Sequence, residues 1–223
     1  MENYKPITDE DVFGKQIMMT DNVKKLIVQQ NNPSFTQYVK DMFLHYMNEF
    51  AKNIYAGEDA FSVTHAFQKG IDEIIEENPE IKNTTCAKQG TGCSFCCYIN
   101  VDITKEEATL LVHEAKEKGV SIDSERLKVQ SDIEDYHDLQ YKDKKCVFLD
   151  YIGKCSVYDK RPMMCRKHYV INPVEQCNVE DEVHETLSLV MNKAEVMTSA
   201  AFNSTKEVGR MSTMLIKSLN ELD

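Results

Sequence analysis

All eight cysteines of this 223-residue chain lie between residues 86 and 177, and that confinement constrains the fold more than any other feature. They are Cys86, Cys93, Cys96, Cys97, Cys146, Cys155, Cys165 and Cys177. The chain thereby divides into an N-terminal helical region (1–85), a cysteine-cluster region (86–177) and a C-terminal helical tail (178–223) expected to pack on it. An even cysteine count is compatible with disulfides in a secreted domain. The start, Met1-Glu2-Asn3-Tyr4-Lys5-Pro6, has no basic segment leading into an apolar run, so a cytoplasmic location with reduced thiols is the expectation. Under reducing conditions, metal ligation is the better use for so many thiols.

The first group reads Cys86-x6-Cys93-x2-Cys96-Cys97, four cysteines within twelve residues. Two thiols separated by two residues converge on one ion, because a tight turn points both sulfurs the same way. Gly90 and Gly92 supply the backbone freedom for such a turn. The later cysteines, Cys146, Cys155, Cys165 and Cys177, are loosely spaced. Their setting is more informative: Lys144, Lys145, Lys154, Lys160, Arg161, Arg166 and Lys167 face only Asp150 and Asp159. This local balance of +5 stands inside a chain of net charge −11. Cations there would offset thiolate charge and lower thiol pKa values. They would also allow Arg161 or Arg166 to grip an anionic group bidentately.

Eight thiols allow two four-cysteine sites or one site with structural cysteines to spare. Sequence order groups Cys86, Cys93, Cys96 and Cys97 against the later four. Adjacent side chains diverge, so an interleaved division with a head cysteine completing the second site fits equally well. His168 is a further candidate ligand if Cys177 is not used, although a structural histidine is the favoured reading. His45, His65, His113, His137 and His184 form no ligand-spaced pair and read as structural.

Hydrophobic periodicity makes the remainder helical. Pro33-Ser34 marks a start, with Ser34 as cap. Phe35, Val39, Met42, Phe43, Tyr46, Phe50 and Ile54 then form one stripe ending near Gly57. A second helix is expected over 59–78, with Phe61, Phe67, Ile71, Ile74 and Ile75 inward and Pro79 as its stop. The segment 13–30 also reads as helical. Thr104 and Glu107 form a capping-box pattern opening a helix that Gly119 ends. Another helix is expected over 123–139. The tail reads as one helix or two, with a break at Asn203-Ser204. Its methionines are best explained as core. Strand candidates are short, 97–103 and 147–151. The expected class is mainly α, with helices around an irregular cysteine-rich centre.

Cys93-Ser94-Phe95-Cys96-Cys97, Cys146-Val147-Phe148-Leu149, Cys155-Ser156-Val157-Tyr158 and Arg161-Pro162-Met163-Met164-Cys165-Arg166 together resemble the CxxCxxCC family of YkgJ-like proteins. The similarity spans about 86–177, and the run from Cys155 to Arg166 agrees at nearly every motif position. Six residues rather than two separate Cys86 from Cys93. The resemblance implies zinc or iron chelation. A similar cysteine pattern in flagellin lysine N-methylases implies an iron–sulfur cluster as the other option. No Gly-rich nucleotide loop accompanies it here, so the methylase activity is not carried across.

The expected function is metal-ion binding with no assigned reaction; the rival is an iron–sulfur enzyme or electron carrier acting on an anionic substrate. The cofactor is zinc or iron. An anionic small molecule or a protein is the further partner that the basic island allows. The net charge of −11 argues against nucleic acid. No run approaches the ~18 apolar residues of a membrane span. No nucleophile elbow, P-loop or His-Glu-x-x-His motif is present.

Overall fold

The structure, a computed structural model, describes residues 8, 20, 22, 33–55, 59–86, 93–180, 186–205 and 207–222. Over these it is mainly helical, with a single two-stranded sheet. The expected helix over 13–30 lies outside the described residues.

Helix α1 (Pro33–Tyr55) begins at Pro33 itself. Proline is favoured at the first helical position, where its missing N–H would have had no partner. Ser34 is therefore inside the helix rather than its cap. Val39, Phe43, Met47 and Phe50 form the buried stripe; the Phe35 and Ile54 side chains lie outside those described. Helix α2 (Ala60–Glu77) is capped by Asp59, whose carboxylate accepts the Ser62 amide at 2.9 Å, and ends just before Pro79. Its core line is Val63, Phe67, Ile71 and Ile75. Phe61, in the first turn, extends past this core and is 38% exposed.

The capping box is present as expected: helix α3 (Lys105–Glu117) opens on reciprocal Thr104 and Glu107 hydrogen bonds. Gly119 follows its end at a φ of 65°, the left-handed conformation that glycine adopts without strain. Helix α4 (Ser124–Asp132) is shorter than expected. The Arg210 guanidinium donates to the carbonyls of Gln130, Ile133 and Glu134, satisfying the helix end early. A four-residue helix α5 (Tyr141–Lys144) and another, α6 (Met163–Arg166), belong to the cysteine-rich centre.

The tail gives two helices, α7 (Asn192–Ser204) and α8 (Met211–Leu222). The expected break falls just after Ser204 rather than at 203–204, and strand β2 (Val208–Arg210) follows it, pairing antiparallel with β1 (Asp102–Thr104), Ile103 opposite Gly209. Helix α7 is buried on all sides from Ala194 to Phe202, packed between α1 and α2. Leu187 and Val190 precede it, outside any helix and exposed. Helix α8 packs on α3 and α4, with Met214 and Leu215 in their core. Met191, Met197 and Met214 are core residues. No helix among the described residues is long and apolar enough to cross a membrane.

Candidate metal centre

The cysteine-rich centre is held by turns and loop pairings rather than by regular elements. Cys86 follows a residue tied to a distant segment: the Thr85 amide donates to the Val170 carbonyl at 2.8 Å. In return the Val170 amide donates to the Cys86 sulfur at 3.3 Å. Residues 87–92, with Gly90 and Gly92, lie outside those described. From Cys93 the chain enters a 3₁₀ turn, Phe95–Tyr98, closed by the Cys97 amide on the Ser94 carbonyl at 2.9 Å. The expected strand at 97–103 is thus reduced to β1.

The second group is brought to this turn by main chain. The Cys146 amide donates to the Cys97 carbonyl at 2.7 Å. Tyr98 stacks on Tyr141 at 4.4 Å between centroids, and Gln130 donates to the carbonyls of Asp143 and Lys145, fixing the approach to Cys146. A tight hairpin then returns Cys155 toward Cys146: Ser156 N–H bonds the Phe148 carbonyl at 2.8 Å, and Leu149 bridges Cys155. Gly153, at a φ of 78°, makes the turn. Helix α6 carries Cys165.

The thiols gather into two neighbourhoods that share Cys96. Cys146 adjoins Cys97, Cys155 and Cys165, Cys96 adjoins all four, and Cys146, Cys155 and Cys165 pack against the α3–α8 core. Cys86, Cys93, Cys96 and Cys177 line a cavity of about 40 Å³ together with His168 and Val170. That volume accommodates an ion or a water molecule. Cys177 therefore joins three of the head cysteines, while Cys97 lines no part of this cavity and stays hydrogen-bonded to Cys96. His168 and Cys177 line the same cavity. Among the described residues, no three His, Cys, Asp or Glu side chains are already arranged as a coordination shell. The fit of a metal rests on the donor set and its adjacency.

Burial governs the thiols. It pushes Cys146 up to about 12 and Cys177 up to about 11, and raises Cys165 well above the ordinary range. Cys96 is the exception: the Cys97 thiol donates to its sulfur and holds it down at about 7, while Cys97 rises for the same reason. His168 is shifted downward by burial, which favours the neutral, metal-competent ring. Such a group of soft donors keeps its protons unless a cation replaces them.

Two buried charges support the centre. Glu107 accepts the Met163 amide at 2.7 Å, and the α2 residue Gln68 donates to it at 3.4 Å, so the cap of α3 also anchors α6. Arg166 is 3% exposed. Its Nε donates to the Arg161 carbonyl at 2.8 Å, and its terminal nitrogens bond Asp72, Gln68 and the Asp159 carbonyl. Gln68 and Asp72 were missed in the sequence; their only signal is a polar i, i+4 pair on α2. The basic island is dispersed. Lys167 is buried against Glu195 at 2.7 Å, Lys144 and Lys145 bond carbonyls, and Lys160 faces His65. Arg161 stacks 4.0 Å over Tyr158.

Helices enclosing an irregular centre of eight thiols define a cysteine-cluster domain. Residues 85–188 match the CxxCxxCC family model, described as a "putative zinc- or iron-chelating domain". The matched segment begins at Thr85 and ends at Ser188, residues that both pair with Val170. No curated protein and no solved structure matches the chain.

Proposed function

We propose that this protein binds zinc or iron through two neighbouring cysteine sets, with the cysteine-rich centre folded around the metal. The inner set is Cys97, Cys146, Cys155 and Cys165. The outer set is Cys86, Cys93, Cys96 and Cys177, with His168 beside it as a further donor. The observation supporting this reading is the gathering of all eight thiols in one centre, where Cys96 lines the cavity of Cys86, Cys93 and Cys177 and also adjoins Cys97, Cys146, Cys155 and Cys165. The donor set supports it: all-thiolate sites suit Zn²⁺ and iron–sulfur clusters. Bound zinc would supply a closed structural cross-link, and iron would supply electron transfer. The chain's own residues hold the sulfurs in place: Glu107 anchors the helix of Cys165, and the Cys97–Cys146 main-chain bond joins head to hairpin.

Anaerobic purification followed by elemental analysis and a visible spectrum tests this on one sample. Zinc without colour supports structural chelation; iron with acid-labile sulfide and a brown colour supports a cluster. A metal-free protein that takes up neither would overturn the proposal. Cys165→Ser and Cys177→Ser then test the division. Each should lose a different part of the metal, and identical losses from both would favour a single site.

A further inference from the structure

A second, larger cleft of about 450 Å³ lies beside α2, lined by His65, Lys69, Lys160, Arg161 and Tyr169 among others. Its volume is that of a small-molecule site. Four cationic side chains line it, and three carboxylates. Two of the carboxylates are engaged by cations, Asp72 within the wall of the cleft itself and Asp159 outside it. Asp72 is paired with Arg166 and stands 4.0 Å from Arg161, and Asp159 lies 3.8 Å from Lys118. Glu76 is exposed.

The cations divide differently. Arg166 is consumed by the fold, as described above. Among the described residues, no carboxylate is within ion-pair distance of Lys69 or Lys160, and the Lys160 ammonium meets only the His65 ring nitrogen, at 3.1 Å. Burial and Lys160 both lower the His65 pKa, so that ring adds no charge near neutrality. The Arg161 guanidinium is held flat over Tyr158, and its Nε is buried without a hydrogen-bond partner. Arg161 also acts electrostatically on Cys96 and Cys155, so the cleft adjoins the cysteine centre.

The geometry points to this cleft as the binding site of a small phosphate monoester, its phosphoryl oxygens held by Arg161, Lys160 and Lys69. Three cations around one open volume suit a dianion, whereas a carboxylate would need only the Arg161 fork. The inference goes beyond metal binding and does not depend on it.

The test is a calorimetric titration of the full chain, with its metal, using phenyl phosphate at fixed ionic strength and benzoate as the monoanionic comparison. Saturable binding of one phenyl phosphate per chain is expected, with benzoate weaker by ~10-fold. The double variant Lys69→Gln/Lys160→Gln should weaken phosphate binding by at least ~10-fold while bound metal and melting temperature stay unchanged. Arg161→Lys, which keeps the charge and removes the fork, should weaken it as well. No saturable binding, equal binding of benzoate, or undiminished binding by the double variant would each overturn the assignment. Phosphate binding by a chain found to hold no metal would sink the metal proposal and leave the cleft standing.

Discussion

The main-chain bond from the Cys146 amide to the Cys97 carbonyl, 2.7 Å long, joins the cysteine head to the later cysteines without the help of a side chain. The two groups are therefore held together by peptide geometry as well as by whatever their sulfurs bind. Around them stand three apolar clusters, α3 with α8, α2 with α7, and α1 with α7, that contain their own core residues.

Removal of metal should for that reason loosen the centre without unfolding the chain. A chelator is expected to lower the melting temperature while leaving most of the helical circular dichroism, unlike a zinc finger, which unfolds without metal. Loss of the helical signal in step with metal would show that the flanking helices depend on the centre.

Metal uptake should release protons. Burial holds the Cys146 and Cys177 thiols at about 12 and about 11, so both are protonated at neutral pH in the metal-free chain. A bound cation needs thiolates and must displace those protons, so affinity rises with pH and falls on acidification. Calorimetry in two buffers of different ionisation enthalpy counts the protons. Equal heats in both buffers would contradict the sulfur assignment.

Glu107 joins the α3 cap to α6, accepting the Met163 amide at 2.7 Å and the Thr104 amide at 3.3 Å. Glu107→Ala leaves two buried amides unpaired and should cost at least ~2 kcal/mol in urea unfolding. Glu107→Gln retains an acceptor and should cost less. Burial raises the folded-state pKa of this carboxyl. Its contribution is therefore full below the unfolded value and is lost as pH rises through the folded one. The Gln variant lacks that slope, so its deficit against wild type should be larger in acid than at neutral pH. A deficit that grows toward neutral pH would reverse the sign of the argument.

The same residues show what a sequence discloses. Thr104, Glu107 and Gly119 mark both ends of α3 because capping is local chemistry. The end of α4 could not be read that way, since Arg210 on β2 supplies its carbonyl partners. The cysteines were legible as a donor set. Their arrangement in space was not, because spacing gives loop lengths and not which loops return: Cys177 reaches the cavity of Cys86, Cys93 and Cys96 after a segment anchored at Val170 by Thr85 and Ser188. The basic island misled for a similar reason. Arg166 finds Asp72 and Gln68 on α2, and Lys167 finds Glu195 on α7.

That last pair gives a prediction about stability alone. Lys167 and Glu195 are both buried, 2.7 Å apart, and Glu195 also accepts Thr20 Oγ1 at 2.6 Å and Asn22 Nδ2 at 2.8 Å. Removing one partner leaves an uncompensated buried charge, so Lys167→Met or Glu195→Leu alone should destabilise by ~3–5 kcal/mol. Replacing both by apolar groups removes the desolvation of each, and the double variant should recover a large part of the loss. Glu195→Leu still leaves the Thr20 and Asn22 donors without their acceptor, so recovery should stop short of wild type. The measurement is a double-mutant cycle by denaturant unfolding. Strict additivity of the two single losses would mean that the pair does not interact, and that Lys167 is held by packing of its aliphatic stem rather than by the charge of Glu195.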